Sequence, residues 1–130
     1  MANEGDRQLY GKEAEATLRA LRQHVRWKPG KDTSHLDKRK LLGHLSAEAT
    51  IEDYNGIISA LLNAEEHSVY LYAFGAERYY AVSGSVGGKD WLVIATKAGI
   101  VETAFPPYAL EEYLRKRGFV FLGTMQEVLT

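Results

Sequence analysis

The chain has 130 residues, a formal net charge of −1, 45% hydrophobic and 25% charged residues, and no cysteine. That size and balance describe one domain of common size with a real core, and exclude a fibrous or disordered chain. The lack of cysteine excludes a disulfide framework, a thiolate metal site and a cysteine nucleophile, and no apolar run approaches the roughly 18 residues needed to span a bilayer.

The opening residues, MANEGDRQLYGKEAEA, hold no apolar core of a signal segment. Residues 12–28 read as a first helix, because Ala14, Leu18, Leu21 and Val25 recur as one apolar stripe. Glu13 and Glu15 near its start and the KPG stop at 28–30 agree with the helix dipole and with proline as a breaker. Residues 29–45 read as a loop with a short helical turn around Asp37–Leu42. Thr50 and Asp53 then form a capping-box pattern, and Ile51, Tyr54, Ile58, Leu61 and Leu62 make the buried face of a second helix.

After Glu66 the period changes from helical to alternating. Residues 68–74, 78–86, 90–96 and 100–105 are rich in β-branched and aromatic side chains, and glycine-bearing connections separate them. Such short connections make hairpins, so the four runs are expected to form an antiparallel meander. Pro107 suits the first turn of a third helix that ends before Gly118, and FVFL at 119–122 offers a last strand. The expected architecture is α+β: N-terminal helices packed on one side of a four- to five-stranded antiparallel meander, with a further helix near the C-terminus. Residues 1–32 would be a helical extension of a single domain whose core is 33–130.

Charge is distributed unevenly along the chain. Between Arg19 and His44 lie eight Lys or Arg residues against Asp32 and Asp37, and three of the four histidines fall in the same window. A polyanion such as RNA needs a basic segment of this size, with Arg22, Arg26 and Lys28 as candidate phosphate contacts. A solvated helix face with a charged loop would carry the same pattern.

Most catalytic motifs fail on inspection. GSVGGKD at 84–90 lacks both the first glycine and the Ser or Thr of a phosphate loop, and reads as a hairpin turn. No histidine pair stands at helical ligand spacing, so no metal site or cofactor is expected. Ser83 and Ser85 lack the setting of a nucleophile elbow. Tyr70, Tyr72, Tyr79 and Tyr80 could stack bases, but on a half-buried sheet such rings more often pack the core.

What remains is His35, Lys38, Arg39 and His44 upstream, and Glu102 with Thr103 on a strand that stops at Pro106-Pro107. Cleaving RNA without a metal needs a base for the 2′-hydroxyl, an acid for the leaving 5′-oxygen and fixed positive charge beside the phosphate. Histidine suits the proton transfers, Lys or Arg the electrostatic role, and a hydroxyl can hold a phosphate oxygen. Thr103, on the same strand face as Val101 and Phe105, would lie across one cleft from His35, with Lys38 or Arg39 between them. Glu102 and Tyr108 are candidate secondary RNA contacts.

Two helices followed by a meander with a W-x-V-I strand (91–94) and the run GIVETAFP (99–106) resemble the barnase/EndoU/colicin/RelE-like superfamily of metal-independent ribonucleases. In particular, the chain looks like toxin domains of bacterial polymorphic toxins, contact-dependent inhibition systems and related phage proteins. The resemblance covers residues 33–107, most strongly DWLVIATKAGIVETAFPP. It implies an endoribonuclease acting in the cytoplasm on tRNA or other structured RNA, and an immunity or antitoxin protein as partner. By position it also implies that His35 or His44, Lys38 or Arg39, and Thr103 fill the catalytic roles. A non-catalytic module of the same fold, binding RNA or a protein, is the alternative. Expected throughout is a protein without cofactor, metal or membrane contact.

Overall fold

A computed structural model describes residues 4–130 of the chain. Helix α1 spans Glu4–Gln23, so it starts before and ends earlier than the apolar stripe suggests. Ala14, Leu18 and Leu21 are buried as expected. The buried Thr17 hydroxyl donates to the Lys97 carbonyl at 2.6 Å, which ties the helix to the sheet. Residues 24–28 are not helical. Strand β1, Arg26–Trp27, instead pairs in parallel with strand β5.

Residues expected as a loop form helix α2, Lys31–Leu41, which faces inward through Leu36 and Arg39. Helix α3, Ile51–Leu62, follows the capping box of Thr50 and Asp53 and buries Tyr54, Ile58, Leu61 and Leu62. Each half of that box satisfies one backbone N–H that the first helical turn would otherwise leave unpaired.

Strands β2 (Ser68–Phe74), β3 (Glu77–Val86), β4 (Lys89–Thr96) and β5 (Ile100–Phe105) form the meander. Gly87 and Gly88, with φ of 60° and 80°, make the two-residue β3–β4 turn, whose hand matches the strand twist. After helix α4 (Leu110–Lys116), strand β6 (Val120–Thr124) pairs antiparallel with β2, and a short helix α5 (Met125–Val128) ends the fold. The six strands run in the order β1-β5-β4-β3-β2-β6. The sheet is therefore mixed rather than purely antiparallel, and β6 lies at the opposite edge from β1.

Both faces of the sheet are covered, which corrects the one-sided expectation. Helices α1 and α3 pack on the inner face against Val69, Tyr80, Val82, Trp91, Val93 and Val101. A smaller apolar cluster on the outer face joins Ala81, Leu92 and Ile94 to Leu114 of α4. Tyr70, Tyr72 and Tyr79 pack against that cluster, and Tyr72 stacks on Phe119 with ring centroids 4.3 Å apart. These tyrosines are packing residues first. Tyr80 points the other way, and its hydroxyl donates to Glu13 at 2.6 Å. Glu13 also receives both arms of the Arg78 guanidinium, which with Tyr80 holds its carboxyl down at about 2.

Candidate active site

The register of β5 decides what its polar residues face. Thr103 pairs with Ile94 and Val101 with Ala95, so Glu102 is an extra residue opposite no partner. Such a bulge reverses the inward–outward alternation beyond it. Val101 therefore packs against the helices, while Thr103 turns to the outer side with Ile94 and Phe105. Thr103 shares a face with Phe105, as its sequence spacing suggests, but not with Val101.

Strand β1 is only two residues long and pairs with Ile100 and Val101, which leaves the rest of that edge of β5 free of strand pairing. Helix α2 lies there instead. His35 Nδ1 comes within 3.4 Å of Thr103 Oγ1. The pair is in direct contact, with the cations on its flank rather than between. The imidazole is also stacked on Trp27, at 6.0 Å between centroids and 28° between planes. Trp27 is itself fixed by donating to Asn55 Oδ1 at 2.8 Å and by packing on Tyr54. His35 is thus held from three elements, and the residue doing most of the holding was not singled out by sequence.

Arg39 lies one helical turn beyond His35 on the same side of α2, and only 4% of its surface is exposed. Its Nη1 donates to His44 Nδ1 at 3.2 Å, and the guanidinium sits 5.6 Å from the Phe105 ring centroid. Its Nε is buried with no hydrogen-bond partner. Among the described residues no carboxylate pairs with it. A buried cation without a counter-charge is costly, and an anion at the same place would relieve that cost. Tyr54, nearby, does not supply one: burial raises its phenol to about 12.

Both histidines are shifted toward the neutral form. Burial is the main cause at His35, followed by Lys31, Arg39 and Lys38, with Glu102 opposing. Burial also leads at His44, followed by Arg39 and Lys89. Neutral imidazoles beside a permanent cation can accept a proton, which is what a general base must do.

A hollow of about 510 Å³ opens between α2 and α4, lined by Lys38, Arg39, His44, Phe105 and Tyr108 among others. A second hollow of about 230 Å³, lined by Tyr72, Phe74, Tyr79, Ile94, Glu102 and Thr103, lies on the other side of Thr103. The remaining candidates are spread more widely. Lys28 Nζ reaches Glu102 at 3.5 Å, and Arg26 donates to the Ala98 carbonyl at 3.2 Å. Arg22 lines two other hollows, with Glu65 and Gln126 or with Glu52 and Asn55, neither of which contains His35, His44 or Thr103. Among the described residues no group of three or more histidines and carboxylates is placed to hold a metal, and no helix is long and apolar enough to cross a membrane.

No family model matches the chain, and neither a curated protein nor a solved structure matches it.

Proposed function

We propose that the protein is an endoribonuclease that cleaves RNA by attack of a 2′-hydroxyl on the adjoining phosphodiester, with no metal in the chemistry. The observation that carries this reading is Arg39: a buried guanidinium with no carboxylate partner, near two histidines that burial and the neighbouring cations shift toward the neutral form. A phosphodiester is the anion that this arrangement suits, because a cation and two proton-transfer groups are the parts its cleavage needs.

In this reading His35 takes the proton of the 2′-hydroxyl, and the 2′-oxygen bonds to phosphorus as the bond to the 5′-oxygen breaks. As Arg39 turns from His44 Nδ1 to the phosphate, His44 takes up a proton from water and passes one to the leaving oxygen, and the products are a 2′,3′-cyclic phosphate and a free 5′-hydroxyl. Arg39 faces the charge that grows on the phosphorane oxygens. Thr103 orients His35 and offers its hydroxyl to a phosphate oxygen. Glu102 and Lys28, close together at the same edge, contact the chain beyond. The family resemblance adds tRNA or another structured RNA as substrate, the cytoplasm as place of action, and an inhibitory protein partner.

The test is incubation of the protein with total RNA in EDTA, followed by end analysis. Fragments ending in 2′,3′-cyclic phosphate are expected from the wild type and not from His35→Ala. Tight RNA binding with no cleavage under any condition would replace the enzyme by a binding module.

A further inference from the structure

The hollow between α2 and α4 continues past Arg39 and His44 to groups that the proposed cleavage leaves idle. Its volume of about 510 Å³ falls within the roughly 300–1,000 Å³ usual for small-molecule sites. Lys116 and Arg117, at the C-terminal end of α4, line its far side. The sequence accounts for them as helix-dipole residues. Their surroundings suit a ligand as well. The Arg117 guanidinium lies 4.1 Å from the Tyr113 ring centroid, which occupies its flat face. No hydrogen bond to the described protein engages its N–H groups. Lys116 pairs with Glu112 at 3.1 Å, but both side chains are more than half exposed, and such pairs exchange readily for a stronger anion. Lys38, Arg39, Lys116 and Arg117 together face a single lining carboxylate, Glu112.

Tyr108 stands at the rim of the same hollow and is fully exposed. It follows Pro106-Pro107, whose rings restrict the backbone and stiffen the segment that carries the phenol. Among the described residues no aromatic ring packs against it. A stiffly mounted, unpartnered ring beside a row of cations has the form of a base-stacking platform.

We infer that this arm of the hollow is a second nucleotide subsite. Lys116 and Arg117 take the phosphate next along the strand, and the adjoining base stacks on Tyr108. The inference rests on the ribonuclease reading and narrows its substrate. A base can lie on a protein ring only when it has left its own helical stack, so the bound segment is unpaired RNA of more than two nucleotides.

The experiment uses the whole chain and a fluorescein-labelled hexanucleotide carrying a 2′-O-methyl group at every position, which cannot be cleaved. Anisotropy is expected to show binding of the single strand and much weaker binding of the same strand annealed to its complement. Tyr108→Ala should weaken single-strand binding about 5- to 150-fold, the loss of one base–aromatic stack. The double variant Lys116→Ala, Arg117→Ala should flatten the salt dependence by about 0.7 in the log–log slope, the loss of one phosphate contact. Wild-type affinity in Tyr108→Ala, or equal binding of duplex and single strand, overturns the subsite. Cleavage of total RNA by the wild type, run in parallel, separates the two ideas. Cleavage with unaltered Tyr108→Ala binding sinks the subsite alone, whereas neither cleavage nor hexanucleotide binding sinks both. Because Tyr108 is fully exposed, its replacement leaves the fold intact, which circular dichroism verifies.

Discussion

The Arg39 guanidinium donates to Nδ1 of His44 across 3.2 Å, and that bond selects the form of the imidazole. A guanidinium can only donate, so Nδ1 must accept and the remaining proton of neutral His44 sits on Nε2. Protonating His44 would set two donors face to face. Nitrogen-15 NMR should therefore find the Nε2–H tautomer and a titration midpoint below the ordinary value of 6.5. Arg39→Met should move that midpoint upward relative to the wild type. A His44 that titrates above 6.5 in the wild type would contradict the geometry.

Stability should depend on pH through His44 and His35 together. His35 and His44 both have folded values below those of the unfolded chain, so the unfolded state binds more protons in between. Stability from these groups is complete above about 6.5 and is lost as the pH falls through the lower folded values. Urea unfolding at pH 7.5 and pH 5 should show a drop in stability that is smaller in the double variant His35→Gln, His44→Gln. An identical drop in both proteins would assign it to other groups.

Cleavage should respond unequally to the two residues in contact at the β5 edge. Replacing a general base costs about 10²–10⁴-fold in rate, whereas Thr103 orients the base and holds an oxygen. His35→Ala should therefore be the more damaging change, with Thr103→Ala slower than wild type by a smaller factor. Thr103→Ser, which restores the hydroxyl, should recover most of the loss. Equal rates for wild type and His35→Ala would remove His35 from the mechanism.

Tyr54 ties α3 to the strand that carries the site. Its buried hydroxyl donates to the Ala104 carbonyl, one residue from Thr103. Tyr54→Phe leaves that carbonyl without its partner, at a cost of about 1–3 kcal/mol. The urea midpoint should fall accordingly, with the β-sheet signal retained. A midpoint equal to that of the wild type would mean that the carbonyl finds another donor.

The strands were readable because their side chains alternate and their turns carry glycine, and α3 because its cap and stripe agree. Helix α2 was not readable. Its two buried positions are Leu36 and Arg39, and an arginine facing inward erases the apolar stripe on which helix recognition depends. The residue that hid the helix is the same one that marks the candidate site. Strand β1 was missed because two residues carry no period; β6 was expected, but not its place beside β2, which is set by the crossing of α4 over the sheet. Of the candidate site, the sequence named His35, Arg39, His44 and Thr103. It could not indicate Trp27, whose role comes from stacking across elements, nor the reversal of Thr103 at Glu102.

That reversal makes the place of a deletion in β5 decide its consequence. Glu102 can be exchanged for many side chains while the strand still counts two residues against one. Removing it altogether would restore strict alternation and leave Thr103 opposite Ile94 and Phe105 opposite Leu92, both still facing outward. Removing Ala104 instead would bring Phe105 to the inward position opposite Val93, so Ala104Δ should be far more harmful than Glu102Δ. Beyond the bulge, the count of residues from Thr103 to Phe105 is itself a specification, and an insertion or deletion there is a change that the protein can hardly absorb.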